Sequence, residues 1–154
     1  MIEIRNSPTL RRYSDVGWSN VGGQTIVIVE ADTLVGADLR QRNLAHADFR
    51  GADLRRADFA EARLEGAHFQ NADLSEADFE GAHIWGGDFR GAHLRQTNFA
   101  NASLVGARLQ GVDLRDSNLH NTTLRFARYD ESTLWPEGID PQVCGAKLPS
   151  QIRP

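Results

Sequence analysis

Residues 47–74 read Ala47-Asp48-Phe49-Arg50-Gly51-Ala52-Asp53-Leu54-Arg55-Arg56-Ala57-Asp58-Phe59-Ala60-Glu61-Ala62-Arg63-Leu64-Glu65-Gly66-Ala67-His68-Phe69-Gln70-Asn71-Ala72-Asp73-Leu74, with a large apolar side chain at every fifth position. Outward from this stretch the frame runs from Leu34 to Leu134, 21 consecutive Leu, Phe, Ile or Tyr in one phase. Only Val35, Trp85, Val105, Val112 and Phe126 add large apolar residues outside it. Two positions before the large residue, Ala fills 13 of the 21 slots, and one position before it Asp or Asn fills 11. The whole stretch is therefore one repeated unit, and repeats decide the architecture before any local propensity does.

A period of five suits neither regular element. On a helix, at about 100° per residue, five steps turn the apolar position by roughly 140° and scatter it around the cylinder. On a flat strand an odd period sends successive large residues to opposite faces. Both conflicts vanish if the chain turns a corner every five residues and points the large residue and the Ala two before it inward. That is a β-solenoid, and Asp, Asn and Gly suit its corners because they accept unusual backbone angles and bond locally. Phe recurs every tenth residue, at Phe49, Phe59, Phe69, Phe79, Phe89 and Phe99, with Leu54, Leu64, Leu74, Ile84 and Leu94 between. An even number of sides accounts for this alternation: with four, Phe stacks on Phe in two opposite columns and Leu fills the other two. These residues, Leu54, Leu74 and Leu94 among them, are the expected core.

The iterated units Ala37-Asp38-Leu39, Ala52-Asp53-Leu54, Ala57-Asp58-Phe59 and Ala72-Asp73-Leu74 resemble the A(D/N)LXX motif of the pentapeptide-repeat family, over 101 of the 154 residues. The resemblance implies an all-β fold, a right-handed quadrilateral β-helix with 20 residues per coil and about five coils. At ~4.8 Å between strands the rod body would be roughly 25 Å long.

Three segments are expected: an N-terminal β cap over 1–31, the solenoid over 32–134, and a C-terminal cap and tail over 135–154. Solenoid ends need caps because the terminal coil otherwise exposes apolar interior and an unpaired edge. Ile2–Arg5 and Thr25–Glu30 read as strands joined by an irregular segment containing Tyr13, Trp18 and Gly22-Gly23. The tail is Pro-rich, with Asp140-Pro141 placed to start at most one or two helical turns and Trp135 placed to plug the last coil. Arg42 falls in an inward slot, where an unpaired charge is costly, so an irregular first coil is expected. Gly86-Gly87 reads as a tight corner, with a kink in the coil as the alternative.

Composition narrows the function classes. The chain is 25% charged with net charge −4, which lacks the basic footprint of a nucleic-acid binder. No apolar run approaches the roughly 20 residues of a membrane helix, and the N-terminus lacks an apolar signal core, so cytoplasmic residence is expected. Cys144 is the single cysteine, which excludes an internal disulfide. No nucleophile, phosphate or metal motif occurs, so the expectation is a non-catalytic protein without cofactor or metal. His68, His83 and His93 replace the usual Asp on different walls and converge on nothing, with His46 and His120 elsewhere.

Function has to be read from the outward residues. Asp38, Asp58 and Asp78, continued by Asn98 and Asn118, form a candidate acidic column, either a cation or basic-partner site or a set of local backbone bonds. Residues 47–81 hold nine acids and four arginines, whereas 82–128 hold three acids and six arginines. Arg55, Arg95 and Arg115 stack on one wall, with Arg56 alongside. Trp85, Val105 and Phe126 should share one exposed apolar strip, either a partner contact or a wall covered by a terminal segment. The first reading is a scaffold that binds a protein partner through its walls, as monomer or homodimer. The resemblance supplies an alternative, since some members of the family mimic duplex DNA and bind DNA gyrase or topoisomerase IV, modulating their activity or quinolone sensitivity. Such mimics are acidic along the whole rod and dimerise through a C-terminal helix; here the second half is basic and the tail Pro-rich.

Overall fold

The computed structural model describes residues 17–21, 24–28 and 34–151. From residue 34 onward the backbone pairs in parallel with itself at a fixed interval of 20: Asp38 with Asp58, Asn43 with Arg63, Asp48 with His68, Asp53 with Asp73, and so on along the chain. Four such columns recur, so each coil has four sides, here called faces A to D after Asp38, Asn43, Asp48 and Asp53. The rungs are well-formed backbone bonds, as where the Asp58 amide donates to Ala37 (2.9 Å) and the Leu39 amide to Asp58 (2.7 Å).

Each corner follows from one residue. Every fifth residue from Gly36 to Phe126 has positive φ, between 55° and 71°, eight of them Gly and eleven not. Around it the amide three residues after the large side chain donates back to that residue's carbonyl, as from Ala37 to Leu34 (3.0 Å). A positive φ at the third residue of such a turn is the type II pattern. The Asp or Asn just before the large residue locks the corner from outside by accepting the amide two residues on: Asp58 from Ala60 (3.0 Å), Asp78 from Glu80 (2.9 Å), Asn98 from Ala100 (3.1 Å).

Inside, the phenylalanines form two columns. Phe49, Phe69 and Phe89 stack at 5.0 and 4.8 Å, and Phe59, Phe79 and Phe99 at 4.7 and 5.1 Å, with planes within 10°. Rings of the two columns meet edge to face at 5.7–6.2 Å, a favoured arrangement for the ring quadrupole. All six are buried, as are Leu54, Leu74 and Leu94. Where Ser or Thr replaces the inward Ala, the hydroxyl donates to a carbonyl of the previous coil, Thr97 to Leu74 (3.0 Å) and Thr122 to Phe99 (2.7 Å), so no buried hydroxyl is orphaned there.

Local expectations change at Arg42 and Leu134 and hold at Gly86-Gly87 and Trp135. Arg42 is exposed, so its charge is not buried; the corner answers with a longer turn bond, 3.4 Å from the Arg42 amide to Leu39, while the ladder bond from Arg63 to Arg42 stays at 2.9 Å. Gly86-Gly87 makes a plain corner with the ladder intact on both sides. The five-residue frame slips once, between Asp130 and Thr133. Asp113 pairs with Leu134, not Thr133, and Thr133 donates to the carbonyl of Leu109, 24 residues back. Leu134 is thereby turned outward, 42% exposed, and Trp135 packs on the core with its ring edge-on to Tyr129 (5.5 Å).

Beyond the slip, Asp140 starts a single turn. Its carboxylate accepts the Gln142 amide (2.9 Å), the Ala146 amide reaches back to Pro141 (2.9 Å), and Gly145 closes the turn at φ 88°, a Schellman-type ending. The chain then returns to face C: Lys147 pairs with Arg128, and Ala146 and Leu148 pack on the core. Near the other end, β1 (Gly17–Val21) and β2 (Gln24–Ile28) form an antiparallel pair with Trp18 opposite Val27. Trp18 is thus in a strand and not in an irregular segment: a β-branched strand needs a partner, and the nearest segment supplies it across a two-residue connection. The expected strand Ile2–Arg5, Tyr13, and Gly22-Gly23 lie outside the described residues.

Candidate functional site

The edge between faces B and C carries the residues singled out as an apolar strip. Trp85 and Val105 occupy the same position one coil apart, and Phe126 sits one residue further round, one coil on. Trp85 and Phe126 are each 54% exposed, while Val105 is half-buried. The Trp85 indole N–H donates to Ser103 Oγ of the next coil (2.7 Å), and its ring stands edge-on to His83 at 6.4 Å. The indole is therefore held in one pose across two coils with a face open. The Arg125 guanidinium lies 4.7 Å above the Phe126 ring, within cation–π range.

Phe126 departs from every local preference. It occupies a corner with φ 62°, where the other ten non-glycine residues are Gln, His, Arg, Glu, Asn or Asp. A bulky side chain there is an outlier, and strained residues cluster at functional sites.

The acidic column is a set of corner locks. On face A, Asp38 is held by Arg40 through two guanidinium bonds (2.9 and 2.8 Å), which lower its pKa to about 2, and Arg40 also reaches Asp58 (3.4 Å). Asp78 accepts from Asn98 Nδ2 and Asn98 from Asn118 Nδ2, both at 3.0 Å. The carboxylates of the column are engaged by backbone, Arg or Asn. The arginine wall on face D is likewise neutralised: Arg55 pairs with Asp53 (2.7 Å), Arg95 with Asp116 (2.6 Å), Arg115 with Asp113 (2.7 Å) and Arg56 with Glu76 (2.9 Å).

On face C the lower part of the column was not singled out from sequence. Asp88, 4% exposed, accepts from Arg90, Gln70 Nε2 (2.9 Å) and Arg108 (3.5 Å). Burial pushes its pKa up, but the bonds from Arg90 outweigh it and the net shift is downward. Below it Arg108, Arg128 and Lys147 are successive rungs. Arg108 and Arg128, 20 residues apart in a slot that otherwise favours Asp, were visible in the sequence; Lys147 was hidden by the slip and the turn before it. Among the described residues no group of three or more His, Cys, Asp or Glu is placed to hold a metal.

The model for pentapeptide repeats matches in eight copies over 34–71, 57–96, 72–111 and 92–128. Among solved structures, a pentapeptide repeat protein of the Arabidopsis thaliana thylakoid lumen is 27% identical over 62% of this chain and 70% of that one, with a TM-score of 0.51. A pentapeptide repeat protein of Nostoc PCC 7120 is 30% identical over 72% and 84%, with a TM-score of 0.40. QnrB1, a plasmid-mediated fluoroquinolone resistance protein, is 21% identical over 75% and 86%, with a TM-score of 0.35. No curated protein matches the chain. With the repeat model spanning residues 34–128 and the four-sided ladder beneath it, the chain belongs to the pentapeptide repeat family, generally non-catalytic structural modules built as right-handed quadrilateral β-helices.

Proposed function

We propose that this protein is a non-catalytic rod that docks a protein partner through the edge between faces B and C. The observation that carries the reading is Phe126, an aromatic side chain more than half exposed on a strained corner that would be satisfied by Gly or Asn. Trp85, pinned by Ser103 with one face open, supplies a second anchor two coils away. Exposed aromatic anchors beside charged rims are the usual energetic centres of protein interfaces.

DNA mimicry toward gyrase or topoisomerase IV is the second reading. It calls for acid along the full rod, and face A offers Asp38, Asp58, Glu61, Asp78 and Glu80 before passing to Asn98, Asn101, Asn118 and Asn121. The experiment is partner capture with the wild-type chain, Trp85→Asp and Phe126→Asp, alongside a supercoiling assay on gyrase with and without a quinolone. The docking reading expects a partner retained by wild type and lost by both variants with the fold intact, and no effect on gyrase. Retention by both variants, or inhibition or protection of gyrase, overturns it.

A further inference from the structure

Resting on that reading, the cations beside Phe126 specify the partner's chemistry. In the slot before the large residue, Asp and Asn repeatedly accept the amide two residues on and so lock their corners. Arg108, Arg128 and Lys147 occupy that slot on three successive rungs of face C. A cation has no acceptor, so each position forgoes the lock, and like charges on adjacent rungs repel. Arg108 leans on Asp88 at 3.5 Å, but Arg125, Arg128 and Lys147 make no ion pair among the described residues. Asp130, on the same face, is engaged by Ser132 Oγ (2.6 Å), Thr133 Oγ1 (3.2 Å) and the Gly111 amide (3.2 Å). Three exposed cations thus stand around an exposed aromatic in a chain whose net charge is −4. Face B also departs from the rule, at Arg63, His83, Ser103 and Thr123, but among the described residues only face C carries cations without an ion pair in this slot on adjacent rungs, at Arg128 and Lys147. A local rule broken there without structural gain marks a functional surface.

We infer that Arg108, Arg125, Arg128 and Lys147, with Phe126 and Trp85, form a docking site for an acidic protein segment that also carries apolar side chains. The carboxylates of the segment meet the cation column, and its apolar groups lie on the two rings. Charge complementarity selects this occupant over a basic or neutral one. A nucleic acid would find only three or four cations on a net acidic body, too small a footprint for phosphate-driven binding.

The test is fluorescence anisotropy of the full chain with a labelled peptide roughly twelve residues long, Glu/Asp-rich with two Phe, long enough when extended to cross the edge. Its counterpart with Lys for every acid and an oligothymidine of similar length are the controls. Wild type binds the acidic peptide, the double variant Arg128→Glu/Lys147→Glu weakens it by about tenfold or more as expected for reversed contacts, and raised salt weakens it too. Arg128→Gln/Lys147→Gln melts no lower than wild type, which shows that the cations are not holding the fold. No binding by wild type, equal binding by the charge-reversed variant, or equal binding of the Lys peptide overturns the proposal, as does tighter binding of oligothymidine or self-association abolished by Arg128→Glu. If partner capture is lost in Trp85→Asp yet unmoved by the charge reversals, the docking edge stands and the acidic partner does not.

Discussion

The Cγ2 methyl of Ile84 stands 2.7 Å from the point a Cβ on Gly87 would occupy. In the same column Leu44, Leu64, Leu104 and Leu124 are each followed three residues later by Ala47, Ala67, Ala107 and Ala127. Ile84 is the one β-branched member, and the branch fills the space an Ala methyl takes on the other rungs. The Phe89 ring closes the same space from the other side, 3.3 Å from the ideal Cβ. Gly87 is thus required by its neighbour and not by its backbone, since its φ is not positive.

Gly87→Ala should accordingly destabilise the fold by about 1–3 kcal/mol through overpacking. Ile84→Leu in the same chain should restore it to wild-type stability or above, because Ala also narrows the unfolded ensemble. A denaturation cycle over the two sites should give a coupling of about 1–3 kcal/mol. Additive effects would show that the two side chains do not compete for one space.

Phe126 and Gly86 test the corner geometry in opposite directions. At Gly86 a Cβ meets nothing within 4 Å, but φ is +67°, so Gly86→Ala carries only the left-handed penalty, about 1–2 kcal/mol. Phe126→Asn puts a residue that accepts this conformation into a corner at φ 62° and should stabilise the protein by up to about 1 kcal/mol while abolishing partner capture. Thermal melts of the two variants check both signs. A destabilised Phe126→Asn would mean that the ring supports the fold and is no spare docking group.

Acid should unfold the rod within a narrow window. Arg40 holds the Asp38 carboxyl and Arg115 the Asp113 carboxyl down to about 2, and bonds from Arg50, Arg55, Arg56 and Ser132 depress Asp48, Asp53, Glu76 and Asp130. A carboxyl depressed in the folded state stabilises it above the unfolded pKa of roughly 4, and that contribution is lost as pH falls through the folded value. The melting temperature should therefore hold between pH 7 and 5 and fall from about pH 4 toward 2. A loss that begins above pH 5 would point to histidine or to the ends of the rod instead.

The period of five was enough to place the core, because an inward slot tolerates little but Leu, Phe and Ala, and each unit repeats the same local physics. The faces were less legible. Whether Asp58 binds a cation or its own Ala60 amide depends on distances that one sequence does not carry, and Arg42 looked buried because the frame cannot say that a long side chain on an end coil swings out. Lys147 joins Arg128 at an interval of 19, because after the residue added before Leu134 the turn that closes at Gly145 shortens the coil by two. The tetrad Gly145-Ala146-Lys147-Leu148 matches Gly36-Ala37-Asp38-Leu39 at three of four positions, and that similarity was the available signal.

The slip itself is open to a direct test. By the unbroken frame Leu134 is core; in the fold Leu134 faces out at 42% exposure, and Trp135, the expected plug of the last coil, packs edge-on against Tyr129. The added residue is held by Asp130, which binds Ser132 and Thr133 and lets the Thr133 hydroxyl reach Leu109 (2.8 Å) in place of an inward Ala. Burying the indole removes more apolar area from water than burying a leucine, a gain set against an indole N–H that is buried without a partner among the described residues. Trp135→Ala should cost about 2–4 kcal/mol, toward the lower end for a ring that is not fully buried, whereas Leu134→Ser should stay within about 1 kcal/mol of wild type. The reverse order in a urea series would restore the unbroken frame through Leu134.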